Sequence, residues 1–127
     1  MEDDRTGEFE KFDEAIRLDP ENAEAWCSRG WGHFRIARYD SSVSDFNEAI
    51  RLKGDLANAW YGRGRAYWKK NDIDDDEPTE KLDYDQAIED YSEAIRLQPD
   101  FAEAWYGRGI TYFESMDTEN AEKDFSE

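Results

Sequence analysis

The chain has 127 residues and a net charge of −17, and Leu, Ile, Val and Phe together make up about 16% of it, a composition that by itself belongs to disordered chains. Five Trp and seven Tyr oppose that reading, because each large ring buries roughly 150–250 Å² when it packs. The apolar runs are too short for a membrane span, Glu2, Asp3 and Asp4 do not begin a secretory leader, and one cysteine and one histidine supply neither an intrachain disulfide nor a Cys- or His-rich metal site.

Reducing, cytoplasmic surroundings fit the single Cys27. The acidic balance argues against nucleic acid or a membrane surface as partner, since phosphate binding needs clustered Lys and Arg.

In chain order, residues 8–19 read as one amphipathic helix around Phe9–Leu18. Residues 22–53 follow as a helix pair, with Ala25, Gly32 and Ile36 on one helical face and Val43, Phe46, Ala49 and Ile50 on the next. A second pair spans 56–98, and 101–127 opens a third. Pro20, Gly54 and Pro99 stand in one register and stop the second helix of each pair.

These segments repeat one another. Ala23-Glu24-Ala25-Trp26 returns at Ala57–Trp60 and at Ala102–Trp105, with Trp spacings of 34 and 45. Glu14-Ala15-Ile16-Arg17-Leu18 returns at Glu48–Leu52 and Glu93–Leu97 with the same two spacings. An insertion of 11 residues therefore separates the two helices of the second pair, at about Ile73–Asp83.

The recurring set is Trp26/Gly30/His33, Trp60/Gly64/Tyr67 and Trp105/Gly109/Tyr112, followed by Ser42/Phe46, Ala87/Tyr91 and Ala121/Phe125. In this it resembles the tetratricopeptide repeat, whose pattern is Trp-x2-Leu-Gly-x2-Tyr, Ala-x3-Phe and then Pro. The resemblance covers nearly the whole chain. It implies an all-α fold, a right-handed superhelical solenoid of antiparallel helix pairs with about three units, incomplete at both ends, forming a single domain over residues 1–127. Residues 8–19 are then the second helix of a partial unit, and 101–127 a truncated one.

The sequence departs from the family at the Leu position, which holds Arg29, Arg63 and Arg108. Asp45, Asp90 and Asp124 lie 16, 27 and 16 residues later, and the 27 becomes 16 once the insertion is removed. Ion pairs Arg29–Asp45, Arg63–Asp90 and Arg108–Asp124 are expected between the two helices of each unit.

The resemblance further implies that the first helices line a concave surface on which extended peptides bind. There the sequence presents Trp31, Phe34 and Arg35, then Tyr61, Arg65, Trp68 and Lys69, then Tyr106 and Phe113. Residues 25–70 sum to +5 while every other stretch is negative, so a peptide with acidic and apolar residues is the expected partner. The alternative for Trp31 and Trp68 is ordinary packing between repeats.

One subset of the family clamps the carboxylate of chaperone tails with Lys, Asn and Arg. The matching places here hold Cys27, Trp31, Gly62, Glu103 and Gly107, so that role is not expected. A second expectation is self-association through uncapped terminal helices, where Ala121 and Phe125 sit on a face with nothing after it and contacts of Phe9 or Phe125 to another copy would mark the assembly.

The insertion, from Asp72 to Asp83, spaces carboxylates like a calcium loop, but Glu77 replaces the turn glycine and Asp83 the bidentate Glu. The expectation is a solvated acidic segment, unfolded over Asp72–Glu77, with Pro78 opening a helix that runs to Leu97. His33 and Cys27 stand where other units carry Tyr, and their separation of six puts them on opposite helix faces. No catalytic residue, metal or cofactor is expected.

Overall fold

The computed structural model describes residues 4–73 and 81–115, with side chains from Phe9 to Lys70 and from Tyr84 to Ser115. These residues form six α-helices: α1 (Asp4–Leu18), α2 (Ala23–Arg35), α3 (Tyr39–Leu52), α4 (Ala57–Ile73), α5 (Lys81–Leu97) and α6 (Ala102–Glu114). Each packs on the next in sequence. Beyond that, α2 touches α4 and α4 touches α6, whereas among the described residues α1 stays apart from α3 and α3 from α5. The even-numbered helices are thus drawn together into an inner layer and the odd-numbered ones splay outside it. That difference curves the stack and makes the α2–α4–α6 layer its concave side.

The core follows from one rule of size. Phe46 of α3 is fully buried, and its ring lies where a Cβ on Gly30 of α2 or Gly62 of α4 would come within 2.9 and 2.4 Å. Tyr91 of α5, also fully buried, fills the same place between Gly64 of α4 and Gly107 of α6, each with a Cβ distance of 3.0 Å. On α3 and on α5 a ring is therefore seated between glycines of two successive inner helices. Only glycine permits that approach without displacing the ring. Ala49, Ala59, Ala94 and Ala104 complete the contacts with no exposed surface.

Helix ends are set locally. Asn22 caps α2 by accepting from the Ala25 N–H at 3.3 Å. At its other end the Ala37 N–H donates to the Phe34 carbonyl and the Arg38 N–H to the His33 carbonyl, a Schellman closure that puts Ala37 at φ 61°.

The insertion is distributed differently from the sequence expectation. Four of the 11 extra residues lengthen α4 relative to α2 and three lengthen the described α5 relative to α3, while residues 74–80 lie outside the described residues. Asp72 is helical, so the unfolded stretch expected from Asp72 is wrong at its start. No Gly or Pro intervenes between Gly64 and Pro78, which leaves α4 free to run on. Pro78 and most of the calcium-like spacing lie outside the described residues, and described α5 begins at Lys81. At the start of the chain α1 begins at Asp4, earlier than the expected residue 8. Ala121 and Phe125 lie outside the described residues.

Candidate functional site

Two sets of side chains run along the inner helices. The first repeats in every unit. Arg29 donates from Nε and Nη2 to the two carboxylate oxygens of Asp45 at 2.8 and 2.9 Å, and Arg63 does the same to Asp90 at 2.9 and 2.7 Å. Such bidentate pairing requires an ionised carboxylate and a planar guanidinium. Burial works most strongly against the Arg63 charge, but the bond to Asp90 and the attraction of its carboxylate together outweigh it and hold the proton more firmly than usual. Asp124 lies outside the described residues, so Arg108 is seen only with its other partners.

Those other partners were missed at the sequence level. The third guanidinium nitrogen, Nη1, reaches back to the preceding outer helix: Arg29 to Asp13 at 2.9 Å, Arg63 to Asn47 at 2.8 Å and Arg108 to Ser92 at 3.1 Å. Each guanidinium also lies over the repeat tryptophan three residues earlier, 5.0 Å from Trp26, 4.9 Å from Trp60 and 4.8 Å from Trp105. Those indoles in turn donate to the carbonyls of Pro20, Gly54 and Pro99 at 2.9 Å. One arginine thus ties three helices and a turn. The signal was available, because Asp13, Asn47 and Ser92 each stand 16 residues before their arginine.

The second set differs in every unit and lies on the concave layer. Trp31 packs between Phe46 of its own pair, at a ring distance of 5.3 Å, and Tyr61 of the next inner helix at 5.8 Å. Tyr61 likewise lies 5.8 Å from Tyr91 and 4.9 Å from Phe101, and burial raises its hydroxyl pKa against the pull of Arg65. These two rings join successive repeats.

Phe34, Arg65, Trp68 and Lys69 form a continuous shelf beside them. The Arg65 guanidinium lies 5.5 Å from the Phe34 ring and 5.0 Å from Trp68, and the Lys69 ammonium 5.2 Å from the same indole. The Trp68 Nε1–H donates across to Glu114 of α6 at 3.1 Å. Arg35 is exposed at the rim. Tyr106 and Phe113 of α6 are 63% and 62% exposed, among the most open apolar groups described.

The titratable residues set apart in the sequence are packed groups. His33 stacks 4.7 Å from Phe9 and its Nε2 is 3.4 Å from Asp45. Burial lowers its pKa, with Asp45 opposing. Cys27 is buried, and burial first, then Glu24, pushes its thiol up to about 11, so the nucleophilic thiolate is scarce at neutral pH. Among the described residues no cluster of His, Cys, Asp or Glu could hold a metal ion, and no helix is long and apolar enough to cross a membrane.

Family models match much of the chain. A tetratricopeptide-repeat model matches residues 27–82 and a second TPR model matches 79–115. The chain belongs to the tetratricopeptide-repeat family. The protein prenyltransferase alpha subunit repeat also matches residues 6–33, which hold most of α1 and of α2. No curated protein sequence matches.

Among solved structures, one of MamA is 26% identical with a TM-score of 0.79, covering 92% of this chain and 62% of its own. The second TPR domain of Spaghetti (RPAP3), bound to the HSP90 peptide SRMEEVD, is 24% identical with a TM-score of 0.72, covering 89% and 94%. YrrB, described as a TPR protein with an unusual peptide-binding site, is 18% identical with a TM-score of 0.76, covering 91% and 54%. The latter two similarities concern the fold. The chain spans about three-fifths of the length of the MamA chain it resembles.

Proposed function

We propose that this repeat module is a non-catalytic adaptor that binds an extended peptide, carrying acidic and apolar residues, along the concave α2–α4–α6 layer. The observation that carries the reading is the shelf of Phe34, Arg65, Trp68 and Lys69, which holds two cations against aromatic faces on that layer. Rings and planar guanidinium groups held in this way lose little entropy on binding and make effective anchors. Tetratricopeptide repeats serve protein interaction, and RPAP3 and YrrB are described with peptides or a peptide-binding site. A chaperone-tail role is not part of the proposal, because Cys27, Trp31, Gly62, Glu103 and Gly107 replace the clamp residues.

Fluorescence anisotropy with labelled decapeptides of alternating Glu-Leu, Ser-Leu and Lys-Leu tests the reading. Tightest binding of the Glu-Leu peptide, weakened about tenfold or more in Arg65→Gln/Lys69→Gln, is expected. Equal binding by that variant overturns the electrostatic part, and no binding of any peptide overturns the concave-face reading.

Self-association is the second reading, favoured by Tyr106 and Phe113. Tyr61, at the position equivalent to Tyr106, packs on Phe101 of the next repeat, whereas Tyr106 is 63% exposed. Light scattering across a concentration series tests it: a mass that rises with concentration and falls in Tyr106→Ser/Phe113→Ser supports it, and a constant monomer mass excludes it.

A further inference from the structure

Within the register of the repeat, Arg35, Lys69 and Glu114 occupy one position, at spacings of 34 and 45. The first two are basic and the third is acidic. That single reversal places a carboxylate on the shelf, because Glu114 Oε1 accepts from the Trp68 indole at 3.1 Å. The same indole carries the Arg65 and Lys69 cations at 5.0 and 5.2 Å. Trp26, Trp60 and Trp105 donate instead to backbone carbonyls beside their own helices, so the Trp68 bond is of another kind, reaching from one repeat to the next.

We infer that Glu114 is a resident competitor: its carboxylate holds the place on Trp68 that an acidic side chain of the bound peptide takes, and so sets the affinity and charge selectivity of the groove. The inference rests on the concave-face reading above. The chemistry is that of an intramolecular ligand mimic, since a carboxylate from Glu114 and one from a peptide want the same indole N–H, on a ring that also carries the Arg65 and Lys69 cations. Two carboxylates competing for one donor also repel each other. The Glu114 bond lies at the surface, between a half-buried indole and an exposed carboxylate, and surface polar pairs contribute little to folding, so it yields to a peptide without opening the stack. Reversing or neutralising Glu114 therefore strengthens an acidic ligand and weakens a basic one.

The test uses the full chain, the Glu-Leu and Lys-Leu decapeptides, and the variants Glu114→Gln and Glu114→Ala. Both variants are expected to bind the Glu-Leu peptide about three- to tenfold tighter than wild type, with the gain shrinking as salt rises. They are expected to hold the Lys-Leu peptide no better than wild type. The Trp68 indole N–H resonance is expected to shift when the wild-type chain meets the Glu-Leu peptide.

If wild type binds the Glu-Leu peptide but the variants bind it equally or more weakly, with unchanged melting temperatures, the competitor role is overturned while the groove reading stands. If the Trp68 resonance stays fixed during binding, the role is overturned as well. If no peptide binds wild type or variants, both readings fall.

Discussion

The two faces of each inner helix obey opposite rules. On one face Trp and Arg return in all three units with the same geometry, the Arg–Trp distance staying between 4.8 and 5.0 Å, and the bidentate Asp returns in both units where it is described. On the concave face one register holds Trp31, Arg65 and Ile110 and another Arg35, Lys69 and Glu114, all different, although Tyr61 matches Tyr106 and Phe34 matches Phe113. A contact that every pair of neighbours must make constrains its residues identically in every repeat. A surface that reads one particular partner has no reason to repeat. Identity across registers marks what holds the solenoid together, and divergence marks where it can be specific.

The comparison breaks first if the repeated line proves dispensable. Asp90 is 1% exposed and holds Arg63 by two bonds, so Asp90→Ala leaves a guanidinium without its carboxylate and is expected to cost about 3–5 kcal/mol in urea unfolding. Asp45→Ala is expected to cost less, because Arg29 keeps Asp13. Arg63 keeps only the neutral Asn47, so equal losses would show that the charge of the third partner contributes nothing.

A smaller effect follows from the glycine seats. Gly62→Ala puts a methyl 2.4 Å from the buried Phe46 ring, and overpacking of this kind costs about 1–3 kcal/mol. Gly54→Ala meets nothing closer than 3.7 Å and is expected to be neutral within about 0.5 kcal/mol. A neutral Gly62→Ala would mean that the ring has room to move.

The smallest concerns the one unit whose repeat tyrosine is a histidine. Burial holds the His33 pKa below its ordinary 6.5, Arg29 and Arg38 adding to that while Asp45 and Asp13 oppose it. The folded chain therefore binds fewer protons than the unfolded one as acid is added. The contribution is full above pH 6.5 and is lost as pH falls from there toward the folded value. His33→Tyr, matching Tyr67 and Tyr112, is expected to flatten the drop in urea midpoint between pH 7.5 and 6. An unchanged slope would assign that drop to other groups.

Much of this was legible before any coordinates. The 34-residue period fixed the helix pairs, and the shared spacing of 16 paired Arg29 with Asp45 and Arg63 with Asp90. The backward partners at the same interval went unread because a repeat pattern is naturally read within a unit, and Asp13, Asn47 and Ser92 belong to the one before. Helical periodicity could not separate Trp31 and Tyr61 from Arg65 and Trp68. All four lie on the same side of their helices, and only the distance to the next repeat decides which rings it covers. The insertion misled for a different reason: its charge suggested an unfolded segment from Asp72, but a helix with no breaker continues into charged sequence.

The most direct test of the division between the two faces is urea unfolding of two variants beside wild type. One is Asp90→Ala. The other is the concave triple Lys69→Gln/Tyr106→Ser/Phe113→Ser, made where Tyr106 and Phe113 are more than 60% exposed. The account predicts a loss of about 3 kcal/mol or more for the first and within about 1 kcal/mol for the second, with an unchanged m-value. A triple variant as unstable as Asp90→Ala would contradict it, because the varied face would then be holding the fold.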